Sequence, residues 1–165
     1  MNTDKICANI NGECHYYDKG TTLLEISKDF SAYHETPIVA AIINNDIKDM
    51  STTVMEDCSI NFFDLSTEVG FKVYQRSLIF IMLLAAKELF PNGKVIVEHS
   101  LSKGLYCEFH LDYPLNAQDA KAVESRMREI VEEDLPIIKK TVSVEEAIKL
   151  FEAIGKNEKV KLMKQ

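Results

Sequence analysis

The chain has 165 residues, enough to bury the core of one large domain or of two small ones. Hydrophobic residues make up 46% and charged residues 27%, as is typical of a soluble globular protein. The formal net charge is −7, from 19 basic and 26 acidic side chains. Because an acidic chain does not neutralise a phosphate backbone, we expect no bulk nucleic-acid binding.

The cysteines and the apolar runs indicate a cytoplasmic protein that does not enter a membrane. Four cysteines lie far apart, with no spacing typical of metal ligands: Cys7, Cys14, Cys58 and Cys107. No charged-then-apolar leader follows Met1, so we expect no secretion and no disulfides. Cys7 and Cys14 are the one pair that adjacent hairpin strands could bring close. The longest apolar run, residues 78–86, is about half of a membrane span.

The first part of the chain predicts short strands around one helix. Strands are expected at Lys5–Ile10 and Glu13–Tyr17, joined by a hairpin turn at Asn11-Gly12. Thr22 and Glu25 form a capping box that opens an amphipathic helix. Further strands are expected at Ile38–Ile43, around Ile47 and at Ser59–Phe63. This order favours a β-grasp arrangement, with the helix across one face of the sheet.

The second part has a different character and predicts the order α-β-β-α-β-α. Its first helix, Val73–Phe90, is apolar almost all round, so we expect it inside a core. The later elements are predicted at Lys94–His99 and Leu105–Leu111 (strands), 116–133 (helix), Ile137–Val142 (strand), 143–155 (helix) and Glu158–Met163 (strand). No internal repeat and no low-complexity segment occurs.

Residues 5–65 resemble a TGS domain, the β-grasp module of threonyl-tRNA synthetases, certain GTPases and stringent-response nucleotide synthetases. Four segments in order carry this resemblance: 10–12, 20–26, 37–44 and 58–63. Residues 70–163 resemble the second N-terminal domain of threonyl-tRNA synthetase, which edits mischarged serine. The segments that carry it are 75–77, 87–91, 103–109, 115–127, 139–140 and 143–151.

The resemblance implies an α+β protein with two domains. Residues 1–68 would form a ubiquitin-like β-grasp TGS domain. Residues 69–165 would form an α+β sandwich like the synthetase editing domain, which we expect to be truncated at its C-terminal end.

Two positions depart from the editing family in a way that bears on its chemistry. The family's first helix supplies zinc-binding histidines at i and i+4, and the matching positions here are Arg76 and Phe80. A cationic guanidinium and a phenyl ring offer zinc no lone pair. The second ligand pair of the family would lie beyond residue 165. We therefore expect no metal and no catalytic residue in this chain.

The segment from Val97 to Tyr106 is similar to one subgroup, in which a synthetase-like front end is fused to a uridine kinase-like, phosphoribulokinase-type P-loop domain. This resemblance implies a non-catalytic recognition or regulatory region of a nucleoside kinase. Its partners would be a nucleotide or tRNA-like ligand and a C-terminal kinase domain of the same polypeptide. ATP and magnesium would belong only to that domain, because no Walker A sequence occurs here. The alternative is an aminoacyl-tRNA-binding or degenerate, metal-free editing module.

Six residues are candidate ligand contacts. His99, Ser100, Lys103 and Tyr106 belong to the predicted hairpin, where they would line a cleft against the long helix or form a solvated hairpin tip. Arg76 and Gln75 belong to the helix. Arg76 would bind a phosphate or carboxylate of a ligand, or form a structural salt bridge with Glu98 or Glu108.

Overall fold

The computed structural model describes residues 4–101, 104–138 and 140–164, with the backbone alone at Ser100 and Leu101. The strands and helices are β1 (Lys5–Ile10), β2 (Glu13–Asp18), α1 (Leu23–Lys28), β3 (Ile38–Ile43), β4 (Asp46–Lys48), β5 (Cys58–Asp64), α2 (Glu68–Leu89), β6 (Lys94–Leu101), β7 (Gly104–His110), α3 (Ala117–Glu132), α4 (Val144–Ala153) and α5 (Asn157–Met163). A short 3-10 helix, Ser31–Tyr33, follows α1. The chain divides into two compact units, Met1–Glu132 and Glu133–Gln165, which are described separately.

The first five strands form one mixed sheet in the order β2-β1-β5-β3-β4. β1 and β5 run parallel at the centre, and the other neighbours are antiparallel. The β1–β2 turn consists of Asn11 and Gly12, both with positive φ, as a two-residue hairpin requires. The predicted β-grasp arrangement is therefore confirmed, with strand limits that differ from the prediction by at most one residue.

The sheet and α1 enclose the first hydrophobic core. Thr22 accepts a hydrogen bond from the Glu25 amide, and Glu25 accepts one from the Thr22 amide, so the predicted capping box is present. The capped helix presents fully buried Leu23 and Ile26 to the sheet. The buried members of this core are Ile6, Ala8, Ile10, Leu23, Ile26, Phe30, Ala41, Val54, Cys58 and Ile60.

A second, smaller core forms between α2, α3 and the β6–β7 hairpin. Its buried members are Ala85, Val123 and Ile130, against which Ile81, Met82, Leu84, Phe90, Phe109 and Met127 pack. This packing covers only one side of α2. Phe80 is 56% exposed and Tyr74 is 43% exposed. The expectation that α2 lies inside a core is therefore wrong, because α3 and the hairpin reach only one of its faces.

By length and composition alone, α2 would also serve as a membrane span. Core helices of soluble proteins meet the same criterion, so this observation is weak. Helix α2 carries a Lys72–Glu68 ion pair in its first turns and packs against α3 through the second core.

Two cysteines depart from the expectation of free thiols. The structure joins Cys7 on β1 to Cys14 on β2 through a disulfide, with the two Cα atoms 5.6 Å apart. The antiparallel register places Cys7 opposite Tyr16 and Asn9 opposite Cys14, so the two cysteines are diagonal neighbours. The expectation of no disulfide is thus wrong at this hairpin, while Cys58 and Cys107 are free.

The unit from Glu133 onward contains α4 and α5. Ser143 caps α4 by accepting a hydrogen bond from the Glu146 amide, and Gly155 ends the helix with φ +69°. The two predicted strands are wrong. Residues 137–138 and 140–142 form no regular structure, with Ile137 and Ile138 exposed, and residues 157–163 form α5 instead of a strand. No partner strand among the described residues of this unit is available to pair with them.

The junction between β5 and α2 depends on Asp64, the last residue of β5. Its buried carboxylate accepts hydrogen bonds from the amide and hydroxyl of Ser66, at 3.0 and 2.6 Å, and its Oδ2 lies 3.0 Å from His34 Nδ1. The Asp64 carbonyl oxygen accepts from the hydroxyl of Thr67, the N-cap of α2. The predicted domain limit at residues 68 and 69 follows this junction, within the first compact unit, and stays a prediction.

The Asp64 junction predicts acid sensitivity. The Ser66 hydroxyl, and then His34, hold the pKa of the Asp64 carboxyl below its usual range, although burial opposes the shift. Because the folded-state pKa is lower than the unfolded one, the stabilisation is complete above the unfolded value of 3.8 and is lost as pH falls through the folded value. The free energy of unfolding should therefore decline as pH falls below about 4, and Asp64→Asn should flatten that decline.

Urea denaturation at a series of pH values measures this dependence. Asp46→Asn, which changes an exposed carboxylate on β4, is the matched control and should keep the wild-type slope. An equal slope in the wild type and Asp64→Asn would contradict the assignment.

Candidate functional site

A β-bulge interrupts the β6–β7 hairpin at the predicted ligand contacts. Val97 pairs with Cys107, and Ser100 pairs with Leu105. Two residues of β6, Glu98 and His99, therefore stand opposite one residue of β7, Tyr106. A bulge of this kind redirects side chains and increases the local twist of the strands.

The bulge brings His99 and Tyr106 together. Their ring centroids are 5.4 Å apart, with the planes inclined by 33°. His99 is exposed and Tyr106 is 45% exposed, so the pair presents aromatic surface, an imidazole and a phenol hydroxyl to solvent. Such a pair can stack on an unpaired base and hydrogen-bond to a phosphate or sugar. The Ser100 side chain and Lys103 lie outside the described residues.

Arg76 and Gln75 lie on α2 and are not joined to this pair. Arg76 is exposed, although its helix was expected to lie inside a core. In the part of the chain that the structure describes, no hydrogen bond or ion pair connects Arg76 with Glu98 or Glu108, and Glu108 instead lies 3.1 Å from His110. Gln75 is half-buried. The six candidates therefore stay predictions, of which the structure brings together only His99 and Tyr106.

The two positions that the resemblance to the editing domain matches to zinc-binding histidines offer no metal ligand. Arg76 and Phe80 are one turn apart on α2, and both are exposed. Helical geometry thus preserves the spacing of the ligands, but neither side chain provides a lone pair to zinc. Among the described residues there is also no cluster of three or more metal-ligating side chains. No metal-dependent step can be derived for this site.

A groove of about 420 Å³ lies between α2 and α3 and was not predicted from the sequence. Tyr74, Leu78 and Ile81 line one side of it. Arg128 lines the other, and its guanidinium lies 2.7 Å from Glu124. The helical spacing of the three apolar residues was a detectable signal, but the uniform apolarity of α2 pointed to burial.

No protein-family model matches the chain. Similarity to individual proteins is clear, however, and covers 93% of this chain in each case. The chain is 30% identical over 153 residues to threonine–tRNA ligase of Syntrophomonas wolfei, and 31% identical over 154 residues to that of Carboxydothermus hydrogenoformans. It is 31% identical over 153 residues to that of Symbiobacterium thermophilum. In all three relatives the matched region is 24% of the protein.

The comparisons bear on the fold and on the class of protein. The mixed sheet with its helices is an α+β fold that resembles the N-terminal region of threonyl-tRNA synthetase. The chain spans about a quarter of the length of the curated relatives that it matches. The activity named for those ligases therefore belongs to them, and this chain's part in any such activity is a proposal.

Proposed function

We propose that this chain is an aminoacyl-tRNA recognition module related to threonyl-tRNA synthetase, without the metal-dependent editing chemistry. The similarity to threonine–tRNA ligases over 93% of the chain is the observation that carries this proposal. The replacement of both matching histidines by Arg76 and Phe80 supports the loss of chemistry. The module recognises RNA and leaves phosphoryl transfer and hydrolysis to other proteins or domains.

The proposed contact is the aromatic surface of His99 and Tyr106. Imidazole and phenol rings bind unstacked bases by stacking. Because stacking needs few contacts with phosphates, an acidic protein can also bind RNA in this way. A net charge of −7 makes such a local contact necessary, since the bulk electrostatic attraction is absent. We therefore expect binding to depend only weakly on salt concentration.

A binding measurement tests the proposal. Fluorescence anisotropy with a labelled threonine tRNA transcript should give saturable binding to the wild-type chain. Tyr106→Ala and His99→Ala should each weaken it on the order of tenfold, because each removes a stacking ring.

His110→Ala is the matched control, since His110 is an exposed histidine of the same hairpin and pairs with Glu108. It should bind like the wild type. Absence of saturable binding by the wild-type chain would refute the proposal. Equal losses in all three variants would place the contact elsewhere.

The uridine kinase interpretation rests on the segment from Val97 to Tyr106 alone. The threonine–tRNA ligases reported above give it no support. It predicts a C-terminal kinase domain, with its ATP and magnesium, in the parent polypeptide. Nucleoside phosphorylation by the full-length parent protein, stimulated by this region, would favour the kinase interpretation over the tRNA proposal.

We also propose that the protein acts in the cytoplasm, where aminoacyl-tRNA is used, with no membrane partner. In that compartment the glutathione pool would keep Cys7 and Cys14 as thiols, so the disulfide would form only under oxidising conditions.

A further inference from the structure

A small pocket lies in the β-grasp sheet where β1 ends. The parallel pairing of β1 with β5 stops at Ile10 and Ile60, whereas β5 continues to Asp64. From residue 61 onward, the edge of β5 on the β1 side therefore has no strand partner among the described residues. Backbone donors and acceptors on such an edge are free to bind a ligand. The pocket has a volume of about 240 Å³.

Two carboxamides line this pocket. Asn11 belongs to the β1–β2 turn, and Asn61 is the first residue of β5 beyond the paired segment. Both are exposed, and neither side chain has a hydrogen-bond partner within the described ranges. Each carboxamide therefore has one acceptor oxygen and two donor hydrogens available for a ligand.

His34 adds an oriented acceptor to the pocket wall. Its Nδ1 lies 3.0 Å from the buried Asp64 carboxylate, which can only accept, so Nδ1 carries the proton of this bond. In the neutral imidazole, Nε2 is then an acceptor. The Asp64 contact fixes both the tautomer and the orientation of the ring, as a carboxylate behind a ligand-binding histidine does.

Aromatic rings complete the lining. Phe30 and Phe62 lie with centroids 5.9 Å apart and planes inclined by 33°, and the half-buried Phe63 lies on the same pocket. The volume lies below the roughly 300–1,000 Å³ of pockets for drug-sized ligands. A flat ring with polar edges fits these dimensions better than a whole nucleotide or a peptide side chain.

We propose that this pocket binds a single unstacked adenine base. Carboxamides pair with the N6 amino group and N7 of adenine, which offer one donor and one acceptor side by side. The neutral His34 Nε2 accepts a hydrogen bond from the same amino group, and the phenylalanine rings cover the apolar face of the base. The base can come from a free nucleotide or from an RNA strand end. The site lies on elements other than the His99–Tyr106 pair, and it does not depend on the tRNA proposal.

Titration of the full chain with adenosine 5′-monophosphate, followed by amide chemical shifts in NMR, tests this site. The largest shifts are expected at residues 10–11 and 61–63. Uridine 5′-monophosphate and ribose 5-phosphate are the ligand controls, and both should produce smaller shifts. A three-residue oligoadenylate distinguishes the sources, since tighter binding than the mononucleotide indicates an RNA strand and equal or weaker binding indicates a free nucleotide.

Two variants test the residues without disturbing the core. Asn61→Ala should weaken adenosine monophosphate binding on the order of tenfold. Asn11→Gly should do likewise, because it removes the carboxamide while glycine keeps the φ of +54° accessible. Asn9→Ala, an exposed asparagine on β1, is the matched control and should bind normally. His99→Ala should also bind adenosine monophosphate normally, which separates a failure here from a failure of tRNA binding.

Three results would overturn the proposal. They are the absence of shifts at millimolar adenosine monophosphate, equal shifts with uridine monophosphate or ribose 5-phosphate, and unchanged affinity in both Asn61→Ala and Asn11→Gly. The NMR spectrum of the wild-type chain shows that the protein is folded during each measurement, so unfolding cannot explain any of these results.

Discussion

Ile60→Ala is expected to lower the free energy of unfolding by about 2–5 kcal/mol. Ile60 is fully buried in the first core and lies on the central strand β5, where it pairs with Ile10 on one side and Ile43 on the other. The truncation removes buried apolar area and leaves a cavity. The cavity cannot collapse, because the neighbouring strands β1 and β3 are hydrogen-bonded to β5 on both sides. Urea denaturation followed by circular dichroism measures the change.

Ile47→Ala is the matched control, because Ile47 is 59% exposed on β4 of the same sheet. Its effect should stay within about 0.5 kcal/mol. Equal losses in the two variants would contradict the location of the core.

Gly70→Ala is expected to destabilise the β5–α2 junction by about 1–3 kcal/mol. A Cβ atom at Gly70 would lie 2.0 Å from the carbonyl oxygen of Asp64 and 2.7 Å from its carbonyl carbon. Both are backbone atoms, so relief requires moving the end of β5 or the start of α2. The substitution also disturbs the Thr67 cap, which accepts from the Gly70 amide at 3.1 Å.

Ser77→Ala is the control for Gly70→Ala, since Ser77 is exposed on the same helix. It should unfold at the wild-type urea concentration. A Gly70→Ala chain with unchanged stability would mean that β5 and α2 approach each other less closely than described.

The first half of the fold was predictable because its signals are local. The Asn11-Gly12 turn fixes the hairpin register, and the Thr22–Glu25 capping box fixes the start of α1. The apolar run at Ile38–Ile43 then has to lie inside the sheet, between β5 and β4, since both faces of that strand need cover. Local chemistry and global packing agree in this region.

The second half departs from prediction where packing outweighs local preference. Ile137–Val142 was predicted as a strand, but its described residues, 137–138 and 140–142, have no partner strand in the part of their unit that the structure describes. Residues 157–163 alternate loosely, yet form α5, in which Val160 is buried. Helix α2 begins five residues before the predicted start, because Thr67 supplies an N-cap that the sequence analysis overlooked.

The candidate sites were only partly accessible from sequence. His99 and Tyr106 were predicted as contacts, but their ring contact depends on a bulge that the hairpin pattern did not indicate. The pocket around His34 was missed for a different reason. It depends on where β1 stops pairing with β5, and that register is a tertiary property.

We propose above that this chain recognises aminoacyl-tRNA without hydrolysing it. The most direct test is the rate of ester hydrolysis of mischarged seryl-tRNA at saturating protein, with added zinc or with a chelator. The predicted result is the spontaneous rate under both conditions, because Arg76 and Phe80 cannot hold the metal. Faster hydrolysis that the chelator abolishes would contradict the claim. Faster hydrolysis that the chelator spares and His99→Ala removes would instead identify a metal-free hydrolase.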